Sequence, residues 1–141
     1  MATHQFEPEA ASVPEARRLA CEFAGELMDE AQRSRLEVAV SEVVANAVRH
    51  SGSDEQIRLV LSHQNGYLCV RVIDGGTGLV PQPGAMSSDP GAGFGLFLVE
   101  QLTRRWGVTR EEGKTRVWFE IDYADIDAPA LVVPDAPCDA L

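Results

Sequence analysis

The chain has 141 residues, 45% of them hydrophobic, and a formal net charge of −10. That size supports one domain whose core needs no disulfides, and the acidic balance argues against a nucleic-acid partner, which would need a positive patch. No run approaches the roughly 20 apolar residues of a membrane span, and MATHQFEPEA lacks the basic start and apolar stretch of a secretion signal, so a cytoplasmic location is expected. Cys21, Cys69 and Cys138 are widely spaced with no CxxC pair, and read as free thiols in a reducing compartment.

In chain order, residues 12–28 (SVPEARRLACEFAGELM) open with a Ser-x-x-Glu capping box and place Val13, Ala16, Ala20, Phe23 and Leu27 at helical spacing. A second helix is expected over 32–50, with Leu36, Val40, Val43 and Ala47 on one stripe and an end near Ser51-Gly52. QIRLVLSH (56–63) and YLCVRVID (67–74) alternate in twos around Gln64-Asn65-Gly66, the pattern of a hairpin. Residues 79–92 carry Pro, Gly, Ser and Asp without periodicity and read as a loop. GFGLFLVEQLTRRWG (93–107) reads as a third helix with Leu96, Val99 and Leu102 inward, and KTRVWFEID (114–122) as a last strand with Val117, Phe119 and Ile121 on one face. The chain divides into a domain over 1–123 and an acidic, Ala- and Pro-rich tail over 124–141 that is expected to be flexible and without fixed structure, the alternative being that its ALVV run adds as a strand or docks on a partner. The expected fold class is α+β: a two-layer α/β sandwich with a mixed, mostly antiparallel sheet and helices on one face.

Three features carry chemistry. In VSEVVANAVRHSG (40–52), at about 100° per residue, Arg35, Glu42, Asn46 and Arg49 fall in a polar stripe beside the apolar one. A solvated helix flank gives the same spacing, and His50 at the helix end reads as structural. In YLCVRVID, period 2 puts Asp74 on the face of Leu68, Val70 and Val72. A core-facing carboxylate needs a donor, although an Asp-Gly turn at a strand end is the plainer reading. GAGFGL (91–96) sets three glycines before a helix, where free backbone N–H groups and the positive dipole end suit phosphate. It has neither the Walker GxxxxGK[ST] pattern nor the strand that precedes a dinucleotide fingerprint.

Taken together, in this order and spacing, the three resemble the GHKL (Bergerat-fold) ATPase superfamily. ExxxN on a helix is similar to its N box, DxGxG to its first glycine box and GxGxG before a helix to its second, over roughly residues 10–122. The small bacterial anti-sigma factor serine kinases are the nearest likeness, because their N box similarly runs SE-V-V-x-N-A-hydrophobic-x-H. The resemblance implies ATP and Mg2+ as cofactors. It makes Glu42 the general base, Asn46 the magnesium ligand, and Asp74 the acceptor for the adenine amino group, with Thr115 sharing the ring or its water unless it is an ordinary strand residue. Gly76 would let the base lie against the strand end and Gly78 would hinge 79–92 as a lid. Gly91, Gly93 and Gly95 would offer backbone donors to the phosphates. The segment 79–92 carries no Lys or Arg, and Asp89-Pro90 stand where relatives can carry a basic residue. Charge in the transition state would then rest on magnesium, backbone donors or Arg49.

The function implied is an anti-sigma factor with ATP-dependent serine/threonine kinase activity, acting on a sigma factor and an anti-anti-sigma (STAS-type) protein, as a homodimer. The alternative is a nucleotide-binding module that regulates by contact alone. A histidine-kinase reading would need a phosphoacceptor hairpin, whereas the first 30 residues read as one helix. Outward-pointing Cys69, Ile73 and Trp118 are candidates for a partner surface.

Overall fold

A computed structural model describes residues 1–50, 55–64, 66–75 and 94–123. Among these described residues five strands and three α-helices follow in the order β1 (Ala2–Phe6), α1 (Ser12–Ala24), α2 (Glu30–His50), β2 (Ile57–Gln64), β3 (Tyr67–Asp74), α3 (Phe94–Leu102), β4 (Arg105–Glu111) and β5 (Lys114–Asp122). The strands form one sheet in the order β1-β2-β3-β5-β4, every neighbouring pair antiparallel. The expected α+β sandwich is therefore present, with an antiparallel sheet rather than a mixed one.

The helix face of the sheet carries Ile57, Leu59 and Leu61 of β2, Leu68, Val70 and Val72 of β3, and Val117, Phe119 and Ile121 of β5, all in one core cluster with α1 and α2. Their alternation along each strand is what period 2 dictates. On α2 the expected stripe is buried, and Leu36, Val40, Val43 and Val44 are fully enclosed, each contributing about 1.5–3 kcal/mol relative to exposure. The β2–β3 hairpin forms as expected, its last pair being Gln64 and Tyr67; Gly66 sits at φ 86°, where side chains are disfavoured.

Helix α1 departs from expectation in three ways. It ends at Ala24, because Gly25 adopts φ 58° and opens a 3-10 turn, Gly25–Leu27. Its buried stripe is Ala16, Ala20 and Ala24, while Val13 and Phe23 are half-buried and Leu27 is exposed. The small side chains let α1 lie close on α2. Nor does the Ser12 capping box form: the N-cap position is Ala11, which has no side-chain cap, and the Ser12 hydroxyl donates to the Glu7 carbonyl at 2.7 Å. The capping box belongs to α2, where Gln32 N–H donates to Asp29 Oδ1 (2.8 Å) and Asp29 N–H to Gln32 Oε1 (3.1 Å).

Strands β1 and β4 were not expected. Helix α3 stops at Leu102 rather than 107: Arg104 N–H already donates to the Glu120 carbonyl at 2.8 Å, and the chain continues as β4. The β4–β5 hairpin turns at Glu112 and Gly113, both at positive φ, 53° and 76°, the requirement of a type I′ turn. Val99 of α3 is fully buried, and Leu102 is half-buried.

The free-thiol expectation fails for Cys69, which is disulfide-bonded, while Cys21 is free. The expected outward surface is corrected too: Cys69 and Trp118 are buried together with Tyr67 in a second cluster on the face away from the helices. Among the described residues no helix is long and apolar enough to cross a membrane.

Candidate functional site

Glu42 and Asn46 stand one turn apart in the second half of α2, about 6 Å along its axis. Glu42 is half-buried, whereas Asn46 is 7% exposed. A nearly buried amide must find polar partners or bear a desolvation cost, and no hydrogen bond to the Asn46 side chain is formed within the described residues. Arg49 and Arg35, the other members of the stripe, are exposed, and Arg49 and His50 lie in the last turn, where cations complement the helix dipole.

The second half of the site comes from the sheet. Asp74 ends β3 and is 5% exposed; Thr115, near the start of β5, is 8% exposed. The register pairs the two directly across β3 and β5, one step beyond Val72 and Val117 of the core on the same face. The helix-face placement of Asp74 inferred from alternation is thus correct. Helix α2 packs against both strands, so the helix bearing Glu42 and Asn46 covers the strands bearing Asp74 and Thr115.

Gly95 lies in the first turn of α3, where N–H groups have no intrahelical acceptor. Gly76, Gly78, Gly91 and Gly93, with the expected lid over 79–92, lie outside the described residues.

One residue of this row escaped sequence reasoning. Arg110 of β4 pairs with Thr115, so Asp74, Thr115 and Arg110 occupy neighbouring strands about 4.8 Å apart. Its alternation with Val108 was the available signal, but β4 had been read partly as helix. A larger omission is the anchoring of β4 to β5: Glu120 is fully buried, with Arg105 Nε at 3.0 Å and Nη2 at 3.2 Å from its two carboxylate oxygens, a bidentate pairing.

On the far side of α1, Phe23 stacks on His63 with ring centroids 4.1 Å apart, and His63 Nδ1 hydrogen-bonds the Tyr123 hydroxyl. Burial pushes the Tyr123 phenol up to about 12. These contacts tie α1 to the sheet away from Asp74.

A family model described as the histidine kinase-like ATPase domain matches residues 6–121. The chain belongs to that family. Its members' name states ATP chemistry, and the antiparallel sheet with helices on one face is the GHKL arrangement expected from the motifs. Solved structures agree on the fold of this histidine kinase-like ATPase domain. The RsbU and RsbW domains of Rv1364c from Mycobacterium tuberculosis align with TM-score 0.66 and 18% identity over 87% of this chain and 33% of that one. The histidine kinase domain of the blue-light activated kinase EL346 from Erythrobacter litoralis aligns at 0.54 and 24% over 80% and 60%. The catalytic domain of histidine kinase ThkA aligns at 0.53 and 15% over 86% and 97%. The chain therefore spans about a third of the first of these proteins. No curated protein matches the sequence.

Proposed function

We propose that this chain is an anti-sigma factor and an ATP-dependent protein serine/threonine kinase, which sequesters a sigma factor and phosphorylates an anti-anti-sigma protein of the STAS type. The observation that carries the reading is the set of nearly buried polar side chains, Asn46, Asp74 and Thr115, on the facing surfaces of one helix and two strands, with Glu42 a turn from Asn46. A core does not keep an amide, a carboxylate and a hydroxyl at its edge without use for them. The RsbW domain in a structure of the same fold supports the serine-kinase branch.

In this reading Asp74 accepts a hydrogen bond from the adenine amino group, and the Thr115 hydroxyl beside it contacts the ring or its water. Glu42 accepts the proton of the substrate hydroxyl as the oxygen attacks the γ-phosphorus and the bond to the β–γ bridging oxygen breaks; ADP leaves with that oxygen, and the proton ends on the Glu42 carboxylate. Asn46 offers its amide oxygen to magnesium. Among the described residues no three His, Cys, Asp or Glu side chains cluster as a metal cage, and magnesium suits such a site because it takes few protein ligands and completes its shell with phosphate and water. When bound, it neutralises charge on the phosphates. Gly91, Gly93 and Gly95 supply backbone donors, Gly76 and Gly78 admit the base and hinge the lid, and Arg49 is the cation nearest in sequence to Asn46. A homodimer is the expected assembly.

The segment 79–92, without Lys or Arg, favours one other reading: a module that holds nucleotide and regulates by contact alone. Transfer of labelled γ-phosphate to STAS-type proteins separates the two. Phosphoserine or phosphothreonine formed by the wild type and abolished by Glu42→Ala supports the kinase. A blank wild-type reaction at concentrations that bind ATP leaves the contact-only module.

A further inference from the structure

Strand β1 is an edge of the sheet, and its outer side pairs with no strand among the described residues. The direction of its backbone groups follows from the neighbouring hairpin. Only two residues separate Gln64 from Tyr67, the last pair of the β2–β3 ladder, and residues flanking a two-residue connection exchange backbone hydrogen bonds. Counting back in twos through an unbroken register, Ser62, Val60 and Arg58 direct their N–H and C=O groups at β3, while Leu61, Leu59 and Ile57 direct theirs at β1, where they meet Ala2, His4 and Phe6. The N–H and C=O groups of Thr3 and Gln5 therefore point away from the sheet, and both residues are exposed.

Such edges are ordinarily blunted by lysine, proline or a bulge. Strand β1 has none of these: its sequence ATHQF holds no proline and no charged residue, and it runs in continuous register with β2. In a chain of net charge −10, two copies meeting here set no like charges opposite one another. The strand also complements itself. Laid antiparallel on a second copy about a two-fold axis at His4, Thr3 falls opposite Gln5, and each such pair exchanges both N–H···O bonds. On the helix face the small Ala2 falls opposite the large Phe6. A register centred on Gln5 would instead set Thr3 opposite Glu7, whose carbonyl already accepts from Glu9 N–H at 2.8 Å and from the Ser12 hydroxyl at 2.7 Å. One centred on Thr3 would shorten the stretch paired within the two strands to Ala2–His4.

We propose that the outer edge of β1 is the docking surface for a second copy of this chain, the two β1 strands pairing antiparallel about a two-fold axis at His4 and joining two five-stranded sheets into one. The contact is isologous, so it closes as a dimer. Because the axis stands normal to the sheet, the helix layers of both copies lie on the same side. Asp74 sits on the third strand from the junction, so the two Asp74 residues are five strand spacings apart, roughly 24 Å across the sheet, and neither candidate site is covered. A junction of two five-residue strands is small, and a weak, micromolar association is expected of it. The proposal gives the expected homodimer its interface. It rests on the edge alone and holds whether or not the chain transfers phosphate.

The test is analytical ultracentrifugation of the full chain from micromolar to submillimolar concentration, with cross-linking to fix the register. The wild type should show a reversible monomer–dimer equilibrium. Gln5→Pro removes an outward donor and leaves the bonds to β2 in place, the arrangement in which edge strands tolerate proline; it should keep the wild-type circular dichroism and weaken the dimer at least tenfold. His4 faces its own copy at a non-hydrogen-bonded position, where Cα atoms stand about 4.5 Å apart, within reach of a disulfide. Under oxidised glutathione the His4→Cys variant should therefore link position 4 of one chain to position 4 of the other, read by mass spectrometry, whereas Thr3→Cys, whose copies lie diagonally, should not link to itself. A wild type that stays monomeric throughout overturns the proposal, as does a folded Gln5→Pro that dimerises as tightly as wild type. So does linkage through Thr3→Cys without linkage through His4→Cys, or no linkage at position 4 where the wild type is dimeric. Should Gln5→Pro fail to fold, the cross-link decides alone.

Discussion

Replacing Asp74 with Ala tests the sheet half of the site. Asp74 is 5% exposed and faces Thr115 across β3 and β5, so the variant removes a nearly buried acceptor from the place where the adenine amino group is proposed to bind. A hydrogen bond to a charged group contributes about 1.5–3 kcal/mol, which corresponds to a loss of roughly 10–150-fold in affinity. Thr115→Val removes a neutral hydroxyl at nearly constant volume and should cost about 0.5–1.5 kcal/mol, or roughly 2–10-fold. Because the two side chains are register neighbours, their effects should not add, and the double variant should show a coupling of about 0.5–3 kcal/mol. Calorimetric ATP titration of the four proteins, each checked by far-UV circular dichroism, measures the cycle. An Asp74→Ala variant that is folded and binds ATP within twofold of wild type refutes the adenine assignment.

Gly107→Ala should destabilise by about 1–3 kcal/mol, since a Cβ there would stand 2.7 Å from Trp118 Cζ2 and 2.8 Å from Nε1; a denaturation midpoint equal to wild type would mean that the indole shifts freely. Asp29→Ala should cost about 0.5–2 kcal/mol by removing the cap of α2, measurable in the same melts. The raised phenol of Tyr123 means that the unfolded chain loses its proton first. Stability should be full below pH 10 and fall as pH rises toward about 12. Tyr123→Phe should flatten that part of the profile, and a profile unchanged by the substitution would remove the cause.

The parts of the fold that showed in the sequence are those where one face is buried and the other wet. Leu36, Val40, Val43 and Ala47 on α2, and the alternating residues of β2, β3 and β5, announce their periods because water and core select differently at each position. Asp74 stood out by breaking the chemistry of its face while keeping its period. Strand β4 did not show, since Arg105, Gly107 and Thr109 depend on the partners Glu120, Trp118 and Arg116 across the hairpin, which local reading cannot supply. Nor did β1, a five-residue edge strand whose Thr3 and Gln5 are exposed. The burial of Cys69 and Trp118 was illegible for the same reason. Alternation separates two faces, but what covers the second is a question of tertiary structure.

The claim that joins these observations is that α2 and the sheet hold a magnesium nucleotide between them. Calorimetric titration of ATP into the wild type and Asn46→Ala, with and without magnesium, tests it most directly. The account predicts binding by the wild type that requires magnesium and weakens at least tenfold in Asn46→Ala. A folded wild type that takes up no ATP, or an Asn46→Ala variant that binds it as tightly and with the same magnesium dependence, would contradict it.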